Sequence, residues 1–252
     1  MRTEAGRLTW LGHATVLVAL GERRALTDPL LRRRVAHLVR HVPAAAAPDR
    51  LDAVLLSHLH RDHVDGPSLR GLPAAPVVVP RGGAGVVRRL GRTDVVEVSV
   101  GETVAAGGLA VSAVAAEHDG RRSPLHPQVP ALGYVIEHAG LRVYFAGDTD
   151  DHAGLDDLGR LDAALLPVWG WGPSLGPGHL DPPAAARLAV RLRAAISVPV
   201  HWGTYLPVGH GRRRELLERP GPAFAAEVGR LDPALHVTVL EPGGSVTLAR
   251  RP

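Results

Sequence analysis

Four side chains that commonly bind metal ions lie within six consecutive positions of the sequence. The run at residues 57–63 reads Ser-His-Leu-His-Arg-Asp-His and supplies His58, His60, Asp62 and His63. Crowding imidazoles and carboxylates in this way is unfavourable, because the groups lose solvation and repel one another, unless a bound cation compensates for that cost. Both groups are suitable ligands for zinc and similar ions. The run therefore predicts a metal site, against the alternative of a chance cluster on a surface loop.

Three further candidate ligands come after predicted strands. His118 follows the apolar segment 109–116, Asp148 follows 143–146 by way of Gly147, and His201 follows 198–200. Sites in open sheets gather at the rim where the strands reach their carboxyl ends. Each residue alone is weak evidence, because a lone histidine after a strand is more often structural. Together with the first four they make seven candidate ligands, which is enough for two metal ions.

The segments that must position these ligands have the patterns of strands and a few helices. The segment 53–56 is a short apolar run typical of a buried strand, and it ends at Ser57. Because His58 and His60 are two positions apart, an extended backbone points both side chains to one side. Further on, Asp181 is a predicted N-cap with Pro182 in the first turn, and apolar residues follow at helical spacing.

The remaining pattern predicts strands at 8–11, 15–20, 24–27, 77–79, 95–98, 103–105, 109–116, 132–137, 141–146, 163–168, 198–200, 236–240 and 245–248. It predicts helices at 82–90 and 151–161 and within 213–229. Strand-rich segments come first in each half and helices follow, with no linker between them. We therefore expect an α/β fold in which two sheets pack together with helices outside, as a single domain over residues 1–252.

The residue types that are missing narrow the chemistry. The sequence has no cysteine, which excludes disulfides, thiolate ligands and a cysteine nucleophile. It has no lysine, which excludes a Walker-type lysine and a Schiff-base lysine, and all 29 basic residues are arginines. The net charge of only +4 and the short arginine clusters do not favour a nucleic-acid partner. No apolar stretch reaches the roughly 18 to 20 residues of a membrane helix, and the N-terminus shows no secretory signal, so a cytoplasmic location is expected.

Several motifs resemble those of the metallo-β-lactamase superfamily. The run His58-Leu59-His60-Arg61-Asp62-His63 matches its HxHxDH signature, and the segments 145–149 (Phe-Ala-Gly-Asp-Thr) and 200–204 (Val-His-Trp-Gly-Thr) match its later metal motifs. The segments 10–15, 26–29 and 178–182 look like the branch that contains the ascorbate-phosphate lactonase and the N-acyl-phosphatidylethanolamine phospholipase D. The resemblance spans about residues 8 to 205, and it is specific for fold and metal site but not for substrate.

The resemblance implies a four-layer αββα sandwich with a two-metal centre at one edge. Carried over residue by residue, His58, His60 and His118 would hold the first ion, while Asp62, His63 and His201 would hold the second. Asp148 would bridge both ions, orient the attacking water and relay a proton. The ions would be zinc, with manganese or iron as alternatives.

The function implied is a metal-dependent hydrolase that acts on an ester, lactone or phosphodiester bond of a small molecule, with an anionic substrate among the candidates. An iron-dependent redox member of the same fold and a nuclease are the rival functions. The sequence carries no indication of oligomeric state.

Residues around these ligands have weaker assignments. Asp28 is a candidate hydrogen-bond partner of a ligating histidine, although it equally suits an Asx-Pro turn. His13 is a candidate for lining the site, or an ordinary structural histidine. His179, just before a predicted helix, is a candidate catalytic proton donor or anion contact, or a plain loop residue. An aromatic wall of the pocket is predicted, with core packing as the alternative, from Trp169, Trp171, Trp202 and Tyr205. A loop that determines substrate specificity is predicted from Arg121, Arg122 and His126.

Overall fold

A computed structural model describes residues 4–44, 46–122, 128–169 and 175–249. Its strands are, in chain order, β1 (Glu4–Gly12), β2 (Thr15–Leu20), β3 (Arg23–Thr27), β4 (Arg34–Val35), β5 (Leu38–Arg40), β6 (Ala53–Leu55), β7 (Val77–Pro80), β8 (Val95–Val98), β9 (Thr103–Ala106), β10 (Leu109–Asp119), β11 (Pro130–His138), β12 (Leu141–Phe145), β13 (Ala163–Pro167), β14 (Ser197–Val200), β15 (Tyr205–Pro207) and β16 (Ser245–Ala249). The helices are α1 (Gly66–Arg70), α2 (Ala84–Arg89), α3 (Pro182–Leu192), α4 (Glu215–Glu218) and α5 (Pro220–Leu231).

These strands form two large mixed sheets and one small sheet. The first sheet has the order β16-β1-β2-β3-β6-β7-β8, and the second has the order β14-β13-β12-β11-β10-β9. One continuous core cluster joins residues of both, among them Leu8 and Val18 of the first sheet and Tyr134 and Val143 of the second. Each of these side chains is completely buried. Because burying one large apolar side chain stabilises the fold by about 1.5–3 kcal/mol, this shared core holds the two sheets together.

Parallel strands bring the ligand-bearing loops to one rim. In the first sheet β3, β6, β7 and β8 pair in parallel, and in the second β12, β13 and β14 do so. The strand β1 runs in the same direction as β3, because both are antiparallel to β2. The carboxyl ends of β1, β3 and β6 therefore lie at one edge of the first sheet, and those of β12, β13 and β14 at one edge of the second.

The helix α3 shows how closely local sequence signals can fix an element. Asp181 is its N-cap and accepts a hydrogen bond from the Ala184 amide, and proline occupies the first turn, as predicted. The residues Ala185, Leu188 and Ala189 are buried, and the helix packs on α5 and β13. Within the described ranges, no helix has the length and apolar composition that crossing a membrane requires.

Two predicted elements are wrong. Residues 151–161 form only a short 3-10 turn, Ala153–Leu155, instead of a helix. Gly154 and Gly159 interrupt this segment, and Gly159 takes a left-handed φ of 66°. Residues 236–240 form no strand, since only Val237 pairs, through an isolated bridge to Ser197.

The small sheet was not predicted from the sequence. The strands β4, β5 and β15 form a three-stranded sheet, in which Arg40 pairs with Tyr205 across 165 positions of sequence. Two of these strands, β4 and β5, lie between the segments 24–27 and 53–56, where no strand was predicted. Strands of two or three residues are too short to show an alternating pattern, so tertiary pairing alone defines them.

Candidate metal centre

The loop after β6 carries four of the predicted ligands and is tightly fixed. The amides of His63 and Val64 both donate to the His60 carbonyl, at 3.1 and 2.8 Å. Arg122 donates from Nη1 to the carbonyls of Leu59 and Val64, at 3.2 and 3.1 Å. Arg122 thus fixes the backbone of this loop, and the specificity role considered for its segment stays a prediction.

Three imidazoles converge in a first cluster, made of His58, His60 and His118. The Nδ1 atom of His60 lies 2.9 Å from His58 Nε2 and 3.2 Å from His118 Nε2. Ligand nitrogens around a tetrahedral zinc ion with bonds of about 2.0–2.1 Å are roughly 3.3 Å apart, so this spacing suits a shared cation. His58 is buried, whereas His60 and His118 are half-buried. His118 lies within β10 instead of after it, at a shift in the pairing with β11.

A second cluster is made of Asp62, His63 and His201, with His13 in the same group, and all four side chains are buried. His63 Nε2 lies 3.2 Å from His201 Nε2 and 3.3 Å from Asp62 Oδ2. The distance from His201 Nε2 to Asp62 Oδ2 is 3.9 Å. The ligand atoms of this cluster can therefore also surround one cation.

Asp148 contacts both clusters. Its Oδ2 atom lies 3.3 Å from His63 Nε2, its Oδ1 atom lies 3.3 Å from His201 Nε2, and it groups with His118 as well. Oδ1 is buried and accepts no hydrogen bond from the described residues. The approach depends on Gly147, where φ is +63° and a Cβ atom would lie 2.6 Å from the Ser57 Cβ atom. A buried carboxylate oxygen without a hydrogen bond fits a position beside a cation.

The outer nitrogens of four histidines are held by fixed acceptors. His63 Nδ1 donates to Asp28 Oδ2 at 2.7 Å, and His58 Nδ1 donates to Ser57 Oγ at 2.9 Å, while that hydroxyl donates to Asp28 Oδ2. His118 Nδ1 donates to the Gly178 carbonyl at 2.9 Å, and His201 Nδ1 donates to the Trp169 carbonyl at 2.6 Å. These bonds hold a proton on Nδ1 and point Nε2 inward, which is the orientation that metal-binding histidines require.

The electrostatics of the clusters favour a bound cation. Burial lowers the pKa of His201 to about 3 and also lowers the pKa of His58, His60 and His118, so these imidazoles are neutral near pH 7. Although burial opposes ionisation, the attraction of His63 holds the pKa of Asp62 well below its usual value and contributes to the same lowering for Asp148.

His63 is the exception among the imidazoles. Burial lowers its pKa, but the carboxylates of Asp148, Asp62 and Asp28 outweigh that effect and raise it well above the usual value. Of these groups, one imidazolium therefore faces two buried, ionised carboxylates, Asp62 and Asp148. Uncompensated buried charge is costly, so the donor set fits divalent cations, whose binding would release the His63 proton.

His179 and Trp169 stand beside the clusters. His179 Nε2 lies 3.7 Å from Asp148 Oδ2, its ring meets that of His118 edge-on at 4.7 Å, and its Nδ1 atom is buried without a partner among the described residues. Trp169 and His179 line a cavity of about 410 Å³. His179 is thus placed where it can reach a molecule bound next to Asp148.

The other predicted pocket residues are placed differently. Trp202 is buried and stacks on Trp10 at 5.4 Å, so its indole packs in the core instead of facing the cavity beside His179. Tyr205 is buried, and its ring meets that of His13 edge-on, with the ring centroids 5.6 Å apart. Trp171 and His126 lie outside the described residues. Arg121 pairs with Asp119, with Nη2 at 2.6 Å from the carboxylate.

Comparison with known proteins places these features in a family. The family model described as the Beta-lactamase superfamily domain matches residues 23–202. A UPF0173 metal-dependent hydrolase from Nitratidesulfovibrio vulgaris is 32% identical over 259 residues, covering 97% of this chain and 96% of the relative. Uncharacterized proteins from Mycobacterium bovis and Mycobacterium tuberculosis are 30% identical over 231 residues. The match covers 83% of this chain but only 62% of the length of those mycobacterial proteins.

Solved structures share the architecture. Igni18, a metallo hydrolase from Ignicoccus hospitalis, superposes with a TM-score of 0.72 at 22% identity, covering 98% of this chain and 99% of that one. CmlA, a diiron beta-hydroxylase from Streptomyces venezuelae, superposes with a TM-score of 0.68 at 21% identity, covering 98% of this chain and 54% of that one. At these identities the likeness concerns the fold, and it confirms the predicted sandwich.

Proposed function

The chain belongs to the β-lactamase superfamily and has the metallo-β-lactamase fold, and on that basis we propose that it is a hydrolase that uses two divalent cations. The proposed substrate is a small molecule with an ester, lactone or phosphodiester bond. The relatives named metal-dependent hydrolases support the reaction class. The narrower resemblance to the ascorbate-phosphate lactonase and phospholipase D branch stays a prediction that rests on the sequence motifs.

One observation carries this proposal. Seven side chains from four separate segments of the chain converge on two adjacent clusters, and Asp148 lies between them with a buried oxygen that accepts no described hydrogen bond. In the proposal His58, His60 and His118 hold one cation, Asp62, His63 and His201 hold the other, and Asp148 contacts both. The fixed Nδ1 partners of four of the histidines support this arrangement, because they aim Nε2 at the cluster centres.

The chemistry divides between the cations and the chain. Cations bound here would bring the pKa of water from about 15.7 to near 7 and polarise the bond to be cleaved. The Asp148 carboxylate would accept a hydrogen bond from the attacking water and so orient its oxygen towards the acyl carbon or phosphorus. As its oxygen bonds to the carbon or phosphorus, the water releases one proton; the bond to the leaving oxygen breaks, and that oxygen takes up one proton, so that the protons balance. His179, whose Nδ1 atom has no described partner, is placed to supply that proton.

The identity of the metal is part of the proposal. A set of histidines and carboxylates suits zinc, and manganese and iron remain the alternatives. The structural likeness to a diiron beta-hydroxylase is at 21% identity, so it concerns the fold and does not favour redox chemistry for this chain. Elemental analysis of the purified protein, together with oxygen uptake, separates a zinc hydrolase from an iron oxygenase.

Activity measurements test the proposed reaction. The metal-loaded protein should hydrolyse at least one of three generic substrates, an activated ester, a γ-lactone and bis(p-nitrophenyl) phosphate, and chelation should abolish the activity. Asp148→Asn should lose activity and bind less metal, whereas His179→Gln should lose turnover but keep its metal. A metal-loaded protein that cleaves none of the three, or an Asp148→Asn variant that is as active as wild type, would contradict the proposal.

A further inference from the structure

His13 lies in a turn that histidine does not favour. It follows β1 at the rim of the first sheet, its φ is +54°, and its side chain is buried. Left-handed backbone costs a residue other than glycine of order 1 kcal/mol, and asparagine or glycine would relieve it. A buried imidazole at such a position calls for a reason beyond packing.

Hydrogen bonds hold this turn against the second cluster. The His13 amide donates to Thr204 Oγ1 at 2.9 Å, and the His13 carbonyl accepts from the His201 amide at 2.9 Å and from Trp10 Nε1 at 2.7 Å. The backbone of His13 is therefore fixed directly to that of His201. Its ring centroid lies 4.0 Å from that of His201 and 5.3 Å from that of His63.

The His13 ring makes a polar contact with Asp62. His13 Nε2 lies 3.0 Å from Asp62 Oδ2, the same oxygen that lies 3.3 Å from His63 Nε2. A carboxylate that serves as a metal ligand is ionised and can only accept, so His13 must carry its proton on Nε2 and donate it. A nitrogen that carries a proton cannot also bind a cation, so the geometry gives His13 a role through Asp62.

We propose that His13 positions Asp62 as a ligand of the second cation by donating its Nε2 proton to Oδ2. This inference rests on the proposed metal centre. Ligating carboxylates, like ligating histidines, depend on outer hydrogen bonds for their orientation, and losing such a partner typically costs 10- to 100-fold in metal affinity. His13 does for Asp62 what Asp28 does for His63.

Titration of the metal-free protein with Co²⁺ tests the inference, because the visible absorption of Co²⁺ reports both occupancy and coordination. His13→Asn suits the left-handed turn but is too short to reach Asp62, and it should weaken one of the two Co²⁺ sites by about 10- to 100-fold. His13→Gln restores an N–H donor near the Nε2 position, and it should return the affinity to within a few-fold of wild type. The matched control is His152→Asn, since His152 bonds the Ala115 carbonyl, and it should change neither site.

Each remaining outcome decides the question. Wild-type affinity at both sites in a folded His13→Asn variant would overturn the positioning role. A His13→Gln variant that binds as weakly as His13→Asn, with altered Co²⁺ absorption, would show that His13 is itself a ligand, which also overturns it. If circular dichroism shows that His13→Asn does not fold, the affinity of His13→Gln alone decides between the two results. Wild-type protein that takes up no Co²⁺ would instead refute the proposed function.

Discussion

Replacing Asp28 by asparagine should weaken both the fold and the metal centre, each by a few kcal/mol at most. The fully buried Asp28 carboxylate accepts from the Ser57 amide at 2.7 Å, from Ser57 Oγ at 2.5 Å and from His63 Nδ1 at 2.7 Å. Asparagine keeps the shape and tolerates the φ of +32°, but it places an N–H where one oxygen was. At least one of the three bonds is then lost, which lowers the free energy of unfolding by about 1.5–3 kcal/mol.

The effect on metal binding follows from His63. Its Nδ1 proton would face a neutral amide instead of a carboxylate, so Nε2 becomes a weaker donor, and metal affinity should fall by about 10- to 100-fold. Urea denaturation of the metal-free protein measures the first effect, and competition with a chelator measures the second. The control is Asp162→Asn, since Asp162 is also buried but accepts from the Arg142 amide and pairs with Arg160. Equal metal affinity in Asp28→Asn and wild type, or equal loss in the control, would refute the reasoning.

Three further predictions concern the strands and the ligands. Tyr144→Phe should leave the free energy of unfolding unchanged or raise it, because the buried hydroxyl has no described partner. Tyr134→Phe should lower the free energy of unfolding by about 1 kcal/mol, because it removes a 2.8 Å hydrogen bond to a backbone carbonyl. Urea denaturation measures both effects. Gly147→Ala should abolish activity, because its Cβ atom would collide with a neighbouring serine, whereas Gly140→Ala, with a φ of +78° and open space, should show only backbone strain and full activity. In the metal-free protein the pKa of His201 is about 3, against 6.5 in the unfolded chain, so the unfolded chain takes up a proton first as the pH falls. The free energy of unfolding is therefore unaffected by this group above pH 6.5 and decreases progressively as the pH falls towards 3. His201→Gln should therefore lose less stability than wild type between about pH 7 and about pH 5 in denaturation experiments.

Strand ends explain why the candidate ligands could be named from the sequence. Short apolar runs were recognisable as strands, and parallel pairing then brought the residues that follow β3, β6, β12 and β14 to one rim. Asp28, His58, Asp148 and His201 occupy those positions. The proximity of these four side chains follows from the sheet topology, which is strongly constrained by the hydrophobic pattern and by the handedness of the connections. Their roles as ligands stay predictions that metal titration has to test.

Other features had no local signal. The bond from His13 to Asp62 joins residues 49 positions apart, and the sequence indicated His13 only as a candidate for lining the site. The helix expected at 151–161 is interrupted by glycines, and Arg191 of α3 pairs with Asp151 and Asp156 of the irregular chain that forms instead. Contacts of this kind come from the assembled fold and are invisible to a pattern of period 3.6.

The distribution of backbone strain links the core to the site. Six described residues other than glycine have a positive φ, and three of them, His13, Asp28 and His201, lie at the clusters. Strained conformations persist only where the surrounding structure over-determines them. Here the His13 and His201 turns are joined by a backbone hydrogen bond, and Asp28 is tied to β6 through the Leu55 carbonyl. Because those turns are anchored on strands of the shared core, the sandwich itself holds imidazoles and carboxylates at short separations that they would not adopt in a flexible chain.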